Sequence, residues 1–484
     1  MEIDKATRLS VQNVLKEGLT DIFTAPTELR LLRNKLFQKK VIENVTKCIK
    51  GNSLESLEIA QIDHVLLPKG GPFDFRRCAL IHPLDTIKFL ALSLTFADQL
   101  ESLRPKKITK VVFSYRFKSQ NGYIFDTKYN ITSFKKHVSQ KVRQKSTKVL
   151  VTCDIANFYD RLNIHRLESI LLSNGFEKTR VKQLNELLLF WANRDSYSLP
   201  VGSNASRILA EAALLEVDNY LLSIGVQFCR FVDDYRLFAP NAHTAHYWLT
   251  QLIERLWLEG LTINQRKTKI EDVSSLKPIS GEEAKETSAP PENKKKEKTS
   301  SEEPEPQFRL MAGYGGTIPT RFRAPNLAEL SKLKESDPRE LFNSIKEKKI
   351  TEPDDIKSFI KSVLGSEKYI YFSLLPELAD LFPQFTPYIV DVLIKYKDKI
   401  ESSEKKKIQE VFSRKIITSE YLPEYLTIAI VQLLGCEDYQ DKKTLLDLFR
   451  GLKRNAGAYI GRVILDSIEV VRLGSGLQVD KSTG

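Results

Sequence analysis

Three carboxylates stand where apolar strand formers dominate. Asp154 closes the run LVTCD inside LVTCDIANFYDRL (residues 150–162), and Asp233 and Asp234 interrupt CRFVDDYRLF (residues 229–238). Buried without partners they would be costly, so they need a cation, a helix dipole or water. On a strand adjacent side chains point to opposite faces, but a tight hairpin turn presents both near one edge. Taken alone, an Asp-Asp pair between strands reads as a solvated turn. Together the three carboxylates suit metal-assisted phosphoryl transfer. Two divalent ions about 4 Å apart clamp an attacking hydroxyl and a leaving phosphate. Mg²⁺ prefers carboxylate oxygen and keeps waters and substrate phosphates as its other ligands.

The surrounding segments are what must position these groups. LPVGSNASRILAEAALLEVD (199–218) is a Pro/Gly turn leading into a helix whose first turn holds Ser203, Asn204 and Ser206. GLTINQRKTKI (260–270) adds Lys267. KVLVTCDI reads as a strand and FCRFVDDYRLFA as paired strands. NIHRLESILLSNG, closed by Gly175, and SRILAEAALLEVDNYLLSIG, closed by Gly225, read as helices, as does HTAHYWLTQLIERLWLEG. Upstream, residues 1–60 have helical spacing, a helix is expected around Thr86–Leu100, and ITKVVFSYRF and GYIFDTKYN alternate like two strands.

These segments, in order, resemble motifs A, B, C and D of the reverse-transcriptase palm, over roughly residues 60–330. Asp154 matches the motif A aspartate, LPVGSNAS resembles motif B, FVDD matches the xxDD loop, and Lys267 falls in motif D. The resemblance implies catalytic Asp154, Asp233 and Asp234 and a metal set of those three with Ile155. Two Mg²⁺ ions are the expected cofactors, with Mn²⁺ as a substitute. Nucleotide contacts are expected from Tyr159, which would sit under the sugar and exclude a 2′-hydroxyl, and from its neighbour Phe158. Gly202 would let the backbone approach the nascent pair, Lys267 would lie near the pyrophosphate, and Arg76 or Arg77 in FRRCALIHP and Arg116 in FSYRF would serve as fingers contacts. Considered singly, Tyr159 is a core residue, Lys267 a solvated lysine, and Arg116 a structural or surface arginine. Val201 stands where the family has glutamine, and Phe231 where tyrosine is commoner.

The expected fold is α+β: right-hand polymerase fingers and palm followed by an all-α, helical-repeat-like C-terminal domain. The expected segments are an N-terminal helical region (1–60), fingers and palm (61–279), a disordered linker or insertion (280–307), a primer-grip hairpin completing the palm (308–325), and HEAT-like helices (326–484). The linker SGEEAKETSAPPENKKKEKTSSEEPEPQ has no aromatic and almost nothing apolar to offset ordering entropy. After it, helical runs from DDIKSFIKSVLG to KKTLLDLFRGLKRN follow one another with short breaks.

Composition is consistent with this reading. In 484 residues Lys and Arg number 74 against 62 Asp and Glu, a net charge of +12 that favours a nucleic-acid partner. No apolar run approaches membrane-spanning length, and the N-terminus lacks a signal-peptide core, so a cytoplasmic protein without a membrane partner is expected. Five scattered cysteines form no CxxC pair, which argues against a zinc site or a disulfide framework. The expected partners are dNTPs, with single-stranded DNA product, RNA template or both, and further copies of the chain. Among reverse transcriptases, the motifs and the helical tail look most like bacterial abortive-infection and defence-associated enzymes. That resemblance implies antiphage DNA synthesis, protein-primed and independent of a template. Two other readings remain: RNA-templated copying of a dedicated noncoding RNA, and a non-catalytic nucleic-acid-binding scaffold on a polymerase fold.

Overall fold

The computed structural model describes residues 1–19, 31–68, 75–193, 195–275, 337–348, 351, 353–418, 422–451 and 458–476. The expected linker (280–307) and primer-grip hairpin (308–325) lie outside them. The chain divides into two compact units: Met1–Gln61 with Ile81–Gly313, and Ile62–Leu80 with Tyr314–Gly484.

The first unit begins with α1 (Ile3–Glu17), α2 (Lys35–Lys50) and the single turn α3 (Leu54–Leu57). In the second unit, β1 (Asp63–Pro68) pairs antiparallel with β2 (Phe75–Leu80). The first unit resumes with α4 (Pro83–Leu103), buried along most of its length because its sequence is apolar on nearly every face. Then come the hairpin β3 (Phe117–Gln120) and β4 (Tyr123–Phe125), α5 (Ile131–Val142), and β5 (Val149–Asp154). After β5 follow α6 (Phe158–Arg161), α7 (Ile164–Ser173), α8 (Lys178–Ala192), α9 (Asn204–Ala213) and α10 (Leu215–Ser223). The segment closes with β6 (Phe228–Phe231), β7 (Asp234–Ala239), α11 (Ala242–Leu258) and β8 (Lys269–Asp272).

A four-stranded antiparallel sheet in the order β6-β7-β5-β8 organises this unit. Strand β5 lies inside the sheet and is Val- and Leu-rich, as a strand covered on both faces must be. Helix α11 packs on β7, β5 and β8 with Ala245, Leu249, Leu252 and Leu256 buried. Helix α9, buried from Ala205 to Ala213, packs against α4 and α7.

Two expectations need correction. The run 206–225 does not form one long helix. It breaks at Leu214 (φ −98°, ψ 2°), which separates α9 from α10. The stretch 108–117 is not one regular strand either. Lys107–Thr109 is a 3₁₀ turn, Val112 makes only an isolated bridge to Arg230, and Tyr115 has φ +43°. The carbonyls of Ser114 and Tyr115 accept from the Arg104 guanidinium instead of a neighbouring strand.

In the second unit the β1–β2 hairpin packs with a helical array. The helices are α12 (Pro338–Lys346), α13 (Pro353–Ser366), α14 (Leu375–Leu381), α15 (Thr386–Lys395), α16 (Ser402–Thr418), α17 (Glu424–Leu434), α18 (Lys442–Gly451) and α19 (Ala458–Gly476). Neighbours along the array pack on one another: α12 on α13, α15 on α17, α17 on α19, and α18 on α19. Helix α17, apolar over almost its whole length, is the buried centre. The Asp63 carboxylate accepts from the Tyr459 amide at 3.0 Å and so caps the start of α19.

Candidate active site

The sheet register brings the carboxylates to one place. Asp154, the last residue of β5, is paired directly opposite Asp234, the first residue of β7. Directly opposed side chains share a face, and like charges there repel. Thr152 and Arg236 form the next pair on that face. Phe231 pairs with Asp234, so the loop between β6 and β7 has only two residues, Val232 and Asp233. The Asp233 carbonyl accepts from the Ile155 amide at 3.2 Å, tying the hairpin tip to the end of β5. This loop explains how two adjacent aspartates coexist in an apolar run: Asp233 occupies the turn, and only Asp234 lies in the ladder.

Cationic side chains flank the pair. Lys267 places Nζ 3.3 Å from Asp154 Oδ2, and Arg236 places Nη1 3.6 Å from Asp234 Oδ1. Burial pushes the Asp234 carboxyl above its ordinary range, with Asp154 adding to the effect and Arg236 and Lys267 opposing it. The 261–268 segment is fastened to β5 by its backbone. The Asn264 amide donates to the Asp154 carbonyl at 2.7 Å, the Ala156 amide donates to the Thr262 carbonyl at 2.8 Å, and Ile155 bridges Ile263. Lys267 is thereby delivered to the carboxylates by a loop whose anchor is Asp154 itself.

The residues fit a hard divalent cation. Opposed carboxylates need positive charge near them, and here an ammonium on Asp154 and a guanidinium on Asp234 supply it. Among the described residues no three His, Cys, Asp or Glu side chains are gathered to hold an ion by themselves. A Mg²⁺ ion bound by Asp154 and Asp233, with Asp234 beside them, would therefore draw its remaining ligands from water and substrate phosphate. Ile155 is buried, and its amide is engaged with Asp233.

The other expected residues divide into groups. Phe158 and Tyr159, both buried, form α6 immediately after β5, with ring centroids 5.4 Å apart in an edge arrangement. The Tyr159 carbonyl accepts from the Leu199 amide at 2.9 Å, which joins α6 to the turn before α9. Gly202 in that turn has φ +117°, a conformation that L side chains rarely adopt. Ser203 then caps α9 through the Ser206 amide at 3.2 Å.

Arg116 is placed differently from the expected fingers contact. It is 2% exposed, pairs with Glu101 at 2.7 Å, and donates to the Pro105 carbonyl at 2.8 Å. Its guanidinium is held inside the fold, which corresponds to the structural reading of that arginine. Arg76 and Arg77 lie on β2, in the second unit, where Arg77 Nη2 is 3.2 Å from His64 Nδ1.

Behind the hairpin lies a charge network that motif reading alone missed. Arg230 is fully buried, donates to Asp218 at 2.6–2.9 Å and to Glu211 at 2.8 Å, and reaches the Val232 carbonyl at 3.1 Å. Arg104 pairs with the same Glu211 oxygen at 2.6 Å, and the Tyr235 hydroxyl donates to Asp218 at 3.1 Å. Burial acts to raise the Glu211 carboxyl, but Arg104 and Arg230 outweigh it and leave it below its ordinary value. The available signal was charge inside apolar runs: Glu211 in ILAEAALLEVD and Arg230 in FCRFVDD.

Residues 97–295 match the family model for reverse transcriptase, an RNA-dependent DNA polymerase. Over this segment the chain is similar to reverse transcriptases. The segment runs from within α4 through β8, including all three aspartates and Lys267, and the match supports RNA-directed DNA polymerase activity for the segment. No curated protein matches the chain. Solved structures similar to the chain include Candida albicans telomerase in complex with a fragment of telomeric RNA. That likeness has 11% identity over 82% of this chain and 70% of that one, with a TM-score of 0.33. Apo telomerase from Candida tropicalis is 12% identical over 95% of this chain and 73% of that one, with a TM-score of 0.31. No helix among the described residues is long and apolar enough to cross a membrane.

Proposed function

We propose that this reverse-transcriptase-like segment adds deoxynucleotides to a growing strand at the β5–β7 edge. The observation that carries this reading is the opposition of Asp154 and Asp234, with Asp233 in the intervening hairpin loop and Lys267 3.3 Å from Asp154. Bound divalent ions would supply Lewis acidity and charge for in-line displacement at the α-phosphate. Asp154 and Asp233 would be the ligands, with Asp234 adding negative charge beside them. Lys267 stands where a leaving pyrophosphate needs a proton or a counter-charge. Tyr159 and Phe158 form the floor for the incoming sugar, and the Gly202 turn brings backbone close to the new base pair. Arg76 and Arg77 remain proposed contacts to the triphosphate.

The motif resemblance supports the finer reading: an antiphage-defence enzyme whose synthesis is protein-primed and template-independent, with the C-terminal helices cradling the product. Copying of a dedicated noncoding RNA and a non-catalytic scaffold are the competing readings. Labelled dNTP incorporation by purified protein with Mg²⁺ or Mn²⁺, without added template, separates them. An Asp233→Ala/Asp234→Ala variant serves as control. Incorporation that the control abolishes, with label retained on denatured protein, is the expected result. Nuclease-sensitive incorporation would favour a copurified RNA template. Failure to incorporate even on an added primer–template, with nucleic-acid binding intact, would favour the scaffold.

A further inference from the structure

Val232, the first residue of the two-residue hairpin loop, has φ +58°. A β-branched side chain is poorly suited to that region, and a backbone held there persists only where its surroundings over-determine it. The surroundings include Arg230 on the face of the sheet opposite the carboxylates. Arg230 pairs with Tyr235 across the ladder, as Asp154 pairs with Asp234 on the other face. Its Nη1 donates to the Val232 carbonyl at 3.1 Å, while Nε and Nη2 are fixed by Asp218 and Glu211. Glu211 is held in turn by Arg104 and by the Ser114 hydroxyl. Thus α9, α10 and the 104–114 segment all converge on one guanidinium, and that guanidinium holds one strained peptide.

We infer that Arg230 is a positioning residue for the catalytic hairpin: it pins the Val232 carbonyl, keeps the loop left-handed, and so fixes Asp233 and Asp234 against Asp154. This inference rests on the polymerase reading of those aspartates. Stability alone does not call for such a network, because well-packed apolar side chains commonly replace a buried ion pair without loss. The position of the Asp233 carbonyl, which the Ile155 amide must meet, does call for a fixed loop. Without the Arg230 hydrogen bond, only the two-residue turn would hold the β-branched Val232 at positive φ, and Asp233 would be free to shift with it.

The test is a cycle of Arg230→Lys, Val232→Gly and the double variant. Its readouts are dNTP incorporation, thermal unfolding, and amide exchange in peptides covering 149–156 and 228–239. Glycine adopts positive φ without steric cost and so removes the strain that Arg230 restrains. Arg230→Lys is expected to lower the turnover rate at least tenfold, with little change in KM for dNTP, and to speed exchange at the Ile155 amide. In the Val232→Gly background the same change should cost threefold or less, although the unfolding temperature falls equally in both. Losses that multiply across the cycle would overturn the inference and leave Arg230 a core residue. If Arg230→Lys does not fold, Tyr235→Phe, which removes one donor to Asp218 at constant volume, takes its place with a smaller loss and the same rescue. If the wild type incorporates nothing, the polymerase reading has failed separately. The exchange cycle then decides: loosening confined to the hairpin and relieved by glycine supports positioning, and uniform loosening overturns it.

Discussion

Lys267 carries an ammonium on a largely exposed stem to within 3.3 Å of Asp154. An exposed lysine contributes little to folding, so its replacement separates chemistry from stability. Lys267→Ala should slow single-turnover incorporation about 10²-fold, at the lower end of general-acid contributions. Its unfolding free energy should stay within about 0.5 kcal/mol of wild type. A rate loss under threefold would remove Lys267 from the reaction. Arg116 should behave in the opposite way. Arg116→Ala leaves Glu101 paired with Arg104 but strips the Pro105 carbonyl of its donor inside the fold, a change expected to cost about 1–3 kcal/mol in denaturant unfolding. An unchanged midpoint with a raised KM for dNTP would instead return Arg116 to the nucleotide.

At the scale of elements, the turn before α9 and the α5–sheet contact invite tests. Gly202 sits at φ +117° one residue before the Ser203 cap, so Gly202→Ala forces a Cβ into a region that glycine alone accepts readily. It should destabilise by about 1 kcal/mol or more and lower incorporation, both readable in one preparation. Helix α5 buries His137 against Phe113, with ring centroids 5.2 Å apart. Burial, assisted by Lys141 and Lys110, pushes its pKa down to about 4. An unfolded histidine titrates near 6.5, so between those values the unfolded chain binds the proton more readily. Stability from this group is complete above about 6.5 and declines as pH falls towards 4. His137→Phe should flatten that part of the stability–pH curve, and an unchanged slope would place the acid sensitivity elsewhere.

For the whole molecule, charge is the property that reaches beyond the site. A net +12 predicts that single-stranded nucleic acid binds through phosphate contacts and releases counterions. Its affinity should therefore fall linearly on a log–log plot against salt, with a slope of about −0.7 per phosphate contact. Asp233→Ala/Asp234→Ala should keep or slightly steepen that dependence while abolishing incorporation, because it removes negative charge at the site. A salt-independent affinity would show that the basic excess does not face nucleic acid. The division into two units bears on how the chain holds its parts. The β1–β2 hairpin, early in sequence, packs with the α17 and α19 end of the array, where Asp63 caps α19. A basic hairpin expected to serve the fingers is thus built into the unit that carries the C-terminal helices.

The reverse-transcriptase motifs, the strand ending in Asp154, the hairpin at 228–239 and the succession of C-terminal helices were legible in the sequence, because each is written in local periodicity and residue type. What lay beyond reach was whatever depends on partners distant along the chain. Sequence spacing could not say that Asp154 and Asp234 are register partners while Asp233 occupies the loop, since a shift of one residue would have exchanged their roles. Nor could it tell an exposed arginine from a buried one: Arg116 and Arg230 look alike in apolar runs, and only Glu101, Glu211 and Asp218, brought in from other elements, made burial of their charge tolerable. Residue types thus determined which chemistry is available, and tertiary packing decided which charges are held inside the fold and which stand at the sheet edge.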